Sequence, residues 1–175
     1  MKKEAVTELI GAEKIAARVK ELAAEITRDY EGNEVVFIGV LRGAVVFFSD
    51  LIREVKLDAQ LDFVKVSSYG DSSKSDGKIQ LDYPPDTDLT GRHVILVEDI
   101  VDMGYTAKWL REHFEIYSPA SLKICALLDK PERRKVPDVT IDYLGFTIPD
   151  EFVVGYGLDY SQRHRNLPFI GKIEL

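Results

Sequence analysis

Apolar positions fall into two rhythms along the chain. Ile15, Val19, Leu22 and Ile26 recur at helical spacing, Tyr30 extends the stripe, and Gly32 follows as a plausible C-terminal cap. The rhythm then changes to short apolar-rich runs at Val35–Val40, Leu61–Val66, Val94–Val97, Leu122–Leu128 and Ile141–Phe146. The runs at Val35, Val94 and Leu122 are apolar almost without interruption, which suits strands buried on both faces, as in a parallel sheet. Between them lie a short apolar helix, Ala44–Ile52, and a second helical stretch, Ala107–Glu112. Pro84-Pro85, before a turn over Asp86–Gly91, and Ser118-Pro119 act as stops. Lys78–Leu81 reads as a return strand after the polar run Ser67–Gly77, which reads as a long loop and therefore as a solvated tip or a functional lid. Strands alternating with helices predict an α/β fold: a mainly parallel central sheet flanked by helices, with right-handed connections.

The centre of the pattern is Val94–Thr106. Its apolar strand ends in two adjacent acids, Glu98 and Asp99, where open α/β sheets bind ligands. Asp102, Met103, Gly104, Tyr105 and Thr106 then lead into a helix. A helix N-terminus offers free backbone N–H groups and a positive dipole end. Gly104 permits close backbone approach, and Thr106 can cap the helix or give its hydroxyl to a phosphate. Carboxylates suit a vicinal diol and the turn suits a phosphate, so the pair together suits a ribose 5-phosphate. Spacing alone leaves open an ordinary strand-turn-helix with solvated acids. The turn has neither Gly-x-x-x-x-Gly-Lys nor Gly-x-Gly-x-x-Gly spacing.

Composition narrows the classes. With 175 residues, 45% hydrophobic and 30% charged, the chain suits one globular domain with a real core. A net charge of −7 and a pI near 5.0 argue against nucleic acid or an anionic membrane as partner. No signal-like segment opens the sequence and no run approaches membrane-spanning length, so the expected location is cytoplasmic. The single cysteine, Cys125, lies in an apolar run and reads as core. His93, His113 and His164 lack metal-ligand spacing, which argues against a zinc site.

Val94–Thr106 resembles the phosphoribosyl diphosphate (PRPP) signature of the type I phosphoribosyltransferases. That signature is an apolar strand, two acids, two apolar residues and then Asp-Thr/Ser-Gly-x-Thr. Met103 departs from it by removing a hydroxyl, which implies weaker substrate affinity rather than lost function. Phe152-Val153-Val154-Gly155-Tyr156 and Leu158-Asp159-Tyr160 closely resemble the hypoxanthine-guanine branch of that family. Ser68-Tyr69-Gly70 and Leu41-Arg42-Gly43 are shorter matches in the same order. Together the resemblance runs from about Val35 to Ile170.

The resemblance implies a single phosphoribosyltransferase domain over 1–175, with a core at about 35–146 and a small hood from the N-terminal segment and about 147–175. It implies purine salvage: transfer of the 5-phosphoribosyl group from PRPP to a 6-oxopurine, hypoxanthine and also guanine, with Mg²⁺ as cofactor. By residue, it implies that Glu98 and Asp99 hold the ribose diol and metal, with Asp159 as a further metal ligand on the purine side. The turn from Asp102 to Thr106 holds the 5'-phosphate, and Asp102 faces the purine N7 as general acid/base. Leu41, Arg42 and Gly43, often with a cis peptide, and Arg165 bind pyrophosphate. Ser68 and Tyr69 belong to a flexible lid. Lys130 contacts the purine O6, Phe152 stacks on the ring and Val153 offers it backbone hydrogen bonds. Family members assemble as homodimers or homotetramers. Arg133, Arg134 and Lys135 read as a solvated basic loop. The main alternative is a non-catalytic regulator that binds PRPP as a signal.

Overall fold

The computed structural model of the chain describes the backbone of residues 5–69 and 78–174, and their side chains except at 68, 69 and 78. In chain order the elements are β1 (Val6–Ile10), α1 (Ala12–Asp29), β2 (Val35–Leu41), α2 (Val45–Glu54), β3 (Ala59–Tyr69) and β4 (Lys78–Tyr83). They continue with β5 (His93–Val101), α3 (Tyr105–Glu115), β6 (Ser121–Asp129), β7 (Tyr143–Thr147), β8 (Val153–Val154) and β9 (Ile170–Ile173). A six-stranded sheet has the order β4-β3-β2-β5-β6-β7. Its pairings are parallel except β3 with β4. This is the α/β architecture the apolar runs predict.

The uninterrupted runs have a direct cause in the packing. Along β2, Val35 and Phe37 join a core with α1 and α2, while Val36, Ile38 and Val40 join a second core with α3. Both faces of the strand are dry, so no polar alternation is possible. Each fully buried side chain such as Phe37 or Leu96 is worth roughly 1.5–3 kcal/mol relative to exposure. Cys125 is buried in the first core. The helical stripe Ile15, Val19, Leu22 and Ile26 is the buried face of α1.

The chain departs from the sequence reading at several ends. β5 does not stop at its acids but runs through Glu98 and Asp99 to Val101, because β6 continues beside it in register to Asp129. β3 runs on to Tyr69, with Ser68 opposite Ile79 and Tyr69 opposite Lys78. The backbone of both expected lid residues is therefore paired strand, and the rest of the expected loop, 70–77, lies outside the described residues. The cap of α1 is Tyr30, not Gly32, which sits in the following turn at φ +78°. The helix after the Asp102–Gly104 turn begins at Tyr105, one residue after Gly104, so Thr106 is inside the first turn and does not cap it.

Both ends of the described chain meet in a second sheet of order β1-β9-β8. This is the expected hood. Tyr156 ties it to α2 by donating its hydroxyl to Asp50 Oδ2 at 2.6 Å. Among the described residues, no helix is long and apolar enough to cross a membrane.

Candidate active site

The central strand β5 delivers Glu98 and Asp99 to a cavity of about 400 Å³ at the C-terminal ends of the parallel strands. The turn Asp102–Thr106 lines one side, Leu41–Gly43 another, and Asp159 and Arg165 reach in from the hood. The residues read as ribose-, phosphate- and pyrophosphate-binding thus share one space, whereas Lys130, Phe152 and Val153 lie outside its lining.

Two acids at a buried strand end are costly. Glu98 is 5% exposed and its Oε1 makes no hydrogen bond. Burial, then the neighbouring Asp99, pushes its carboxyl well above the ordinary range. Burial also pushes Asp99 up to about 6, although its Oδ1 accepts the Ile100 amide at 2.8 Å and the Arg165 charge opposes the rise. A carboxyl whose folded pKa is raised binds its proton more tightly when folded. Its ionisation therefore costs stability as pH rises from the unfolded value, near 3.8 for Asp99, through about 6. Glu98→Gln is accordingly expected to raise the melting temperature of the ligand-free protein at pH 8 and to flatten its decline above pH 5. A steeper decline in the variant would contradict this.

The turn after β5 reaches α3 through Gly104, at φ +93°, where a β-carbon would be strained. No side chain caps this helix, so the first amides of α3 remain open to an anion.

The opposite wall is built around Gly43. A β-carbon there would stand 1.6 Å from Asp99 Oδ2, so the residue must be glycine for the acid and the loop to share this space. The preceding Leu41–Arg42 peptide is cis. Gly157 of the hood, at φ +102°, closes over the same loop, and a β-carbon on it would meet the Gly43 carbonyl oxygen at 2.1 Å. Arg165 is held by Nη1 donating to the Gly157 carbonyl at 2.7 Å and by an ion pair with Asp159 at 2.6 Å. Arg42 Nη1 and Arg165 Nη2 both donate to Gln162 Oε1, at 3.1 and 3.2 Å. Gln162 therefore joins the two arginines across the mouth, a role its exposed, isolated position in the sequence did not signal.

Lys130, Phe152 and Val153 are the residues expected to meet a base. Lys130 is 4% exposed at the end of β6, where its amide donates to the Val101 carbonyl at 3.0 Å. Burial lowers its pKa, and the Asp102 carboxylate opposes that fall. Phe152, 42% exposed, packs nearly perpendicular to Tyr160 with ring centroids 5.5 Å apart and leaves surface for a flat ligand. Val153 belongs to β8, the edge strand of the hood sheet, so only one of its edges is paired. Asp102 Oδ1 is buried without a hydrogen bond. Arg133 Nε lies 3.1 Å from that oxygen but out of hydrogen-bonding alignment, and its Nη1 reaches Asp150 at 3.5 Å. Arg134 pairs with Asp129. The solvated-loop reading of Arg133 and Arg134 is therefore corrected: both fold back against the site, because the chain makes a 3-10 turn at Pro131–Arg133 immediately after Lys130. Their place just past a strand end on the ligand side was the available signal.

Among the described residues, no three His, Cys, Asp or Glu side chains converge to hold a metal. Asp159 is occupied by Arg165 and by the Gln162 amide, so Glu98, Asp99 and Asp159 do not form a closed cage. The unpartnered Glu98 oxygen and the oxygen-only donor set fit a hard divalent cation that completes its shell with substrate oxygens and water.

Comparison with known proteins agrees with this geometry. Residues 5–161 match the family model described as the phosphoribosyl transferase domain. The chain is 46% identical to the hypoxanthine phosphoribosyltransferase of Haemophilus influenzae, over 100% of this chain and 99% of the relative. It is 45% identical to the hypoxanthine-guanine phosphoribosyltransferase of Bacillus subtilis, over 99% of this chain and 96% of the relative. Among solved structures, a hypoxanthine-guanine phosphoribosyltransferase of Bacillus anthracis superposes with a TM-score of 0.91 at 51% identity, covering 95% of this chain and 98% of that one.

Proposed function

The chain belongs to the phosphoribosyl transferase domain family, and on that premise we infer how its side chains divide the reaction. It is a purine-salvage enzyme that transfers the 5-phosphoribosyl group from PRPP to hypoxanthine, giving IMP and pyrophosphate. We extend the acceptors to guanine, and treat residues 1–175 as one catalytic unit of core plus hood. The observation that carries the assignment of roles is the placement of Glu98 and Asp99 beside an open helix N-terminus, within one cavity.

In this reading Glu98 and Asp99 accept the ribose hydroxyls, and the amides of the 102–106 turn hold the 5'-phosphate. Met103 contributes no hydroxyl there. Arg165 and the Leu41–Gly43 loop grip the diphosphate. Glu98, Asp99 and Asp159 would hold magnesium, which would supply positive charge to neutralise the leaving diphosphate. Purine N9 bonds to C1' as the C1'–oxygen bond to pyrophosphate breaks. The N7 proton passes to Asp102, whose buried Oδ1 has no other hydrogen-bond donor. Positive charge on the ribose ring is favoured by the two acids beneath it, and the Lys130 ammonium steadies the purine O6.

Phe152→Ala is expected to raise the purine KM about tenfold, the scale of a lost stacking contact, and to leave the PRPP KM nearly unchanged. An effect confined to PRPP would contradict the stacking role. The whole reading is tested by comparing turnover on hypoxanthine, guanine, xanthine and adenine with PRPP and Mg²⁺. Hypoxanthine and guanine should lead, and adenine should be poor because it lacks the O6 that Lys130 is aimed to meet. Preference for adenine would overturn the assignment of the base side.

A further inference from the structure

Arg134 is placed behind the anion turn in a way that solvation does not explain. Its side chain is 18% exposed, and the guanidinium is ion-paired to Asp129 through Nη2. The other terminal nitrogen, Nη1, is buried and makes no hydrogen bond. Leaving a charged donor unmet is costly, so such a group needs a reason. Its position supplies one. A β-carbon on Gly104 would meet Arg134 Cδ at 2.9 Å and Nη1 at 3.2 Å. The Arg134 side chain, together with Val139 Cγ2 at 3.0 Å, therefore fills the volume that any side chain at the turn glycine would claim. The main chain on its C-terminal side is fastened to the same turn: the Lys135 and Val136 amides both donate to the Met103 carbonyl, at 3.0 and 3.2 Å.

We propose that Arg134 is a positioning residue for recognition of a sugar phosphate: it backs the Met103–Gly104 turn, fixes the direction of the amides and places positive charge behind them. The proposal rests on the reading of that turn as the 5'-phosphate site. It accounts for a turn that works with Met103, because the stiffness and positive potential come from outside the turn rather than from a hydroxyl within it. Asp129 holds the guanidinium through Nη2 and leaves Nη1, the nitrogen nearest Gly104, without a partner.

The test uses the full chain and two probes, ribose 5-phosphate alone and pyrophosphate with Mg²⁺, measured by calorimetric titration. Arg134→Lys keeps a charge for Asp129 and removes the fork, while Arg134→Met with Asp129→Asn removes the pair together and leaves no buried charge. Both are expected to weaken ribose 5-phosphate about tenfold, leaving pyrophosphate affinity and the hypoxanthine KM within twofold. Unchanged ribose 5-phosphate affinity would overturn the proposal, and so would equal weakening of both probes, which is what general loosening produces. If the wild-type protein failed to bind ribose 5-phosphate while binding pyrophosphate, the turn assignment itself would fall and take the proposal with it.

Discussion

Asp102→Asn should lower turnover by roughly two to four orders of magnitude, the usual scale of a lost general acid/base, with PRPP affinity changed by only a few-fold. The amide keeps the size and most contacts of the acid but cannot take up a proton. The argument is geometric: Oδ1 is buried, without a hydrogen bond, and one edge of the carboxylate faces Arg133 rather than solvent. Stopped-flow and steady-state kinetics at several pH values would separate the two effects. Equal losses in PRPP binding and in turnover would show that Asp102 builds the phosphate turn rather than moving the proton.

Gly157→Ala should be the other severe change, although residue 157 touches no reacting atom. Its φ of +102° disfavours any β-carbon, and that carbon would stand 2.1 Å from the Gly43 carbonyl oxygen. That oxygen belongs to backbone, so relief requires the hood loop or the Leu41–Gly43 loop to move. Gly157 also accepts from Arg165, so Arg165 and the Leu41–Gly43 loop shift together. A displacement near 1 Å in positioning groups costs about a hundredfold in rate. The expected result is a loss of that order in kcat/KM, with pyrophosphate affinity falling and the parallel sheet intact by circular dichroism. Wild-type kinetics in the variant would mean that the hood does not sit on this loop in solution.

The sequence made the framework legible where a single cause acts. Val36, Ile38 and Val40 alternate with Val35 and Phe37 between two cores, so the strand shows up as an apolar run. Glu98 and Asp99 stand out because acids rarely follow such a run. What stayed hidden depends on contacts between distant segments. The place of residue 133 just past a strand end points to the ligand side but not to Asp102 as its partner, and nothing near Gln162 announces two arginines 120 and three positions away. The extra length of β3 was missed because Ser67, Ser68 and Tyr69 read as loop chemistry; pairing with Gln80, Ile79 and Lys78 overrides that local preference. Arg133 and Arg134 looked solvated because a basic run usually is.

The sheet in which β9 lies between β1 and β8 carries a consequence for biosynthesis. Chains emerge from the ribosome N-terminal end first, and among the described strands β9 is made last. Until it appears, neither β1 nor β8 has a partner within this sheet, and the segment bearing Asp159 and Arg165 is fastened through Tyr156 to Asp50 without the sheet that completes it. A nascent chain would therefore possess the acids and the Asp102–Thr106 turn before the second sheet is complete. Ribosome-stalled chains ending before Ile170 should show no transferase activity while completed, released chains do; activity in the stalled chains would rule out this order of assembly.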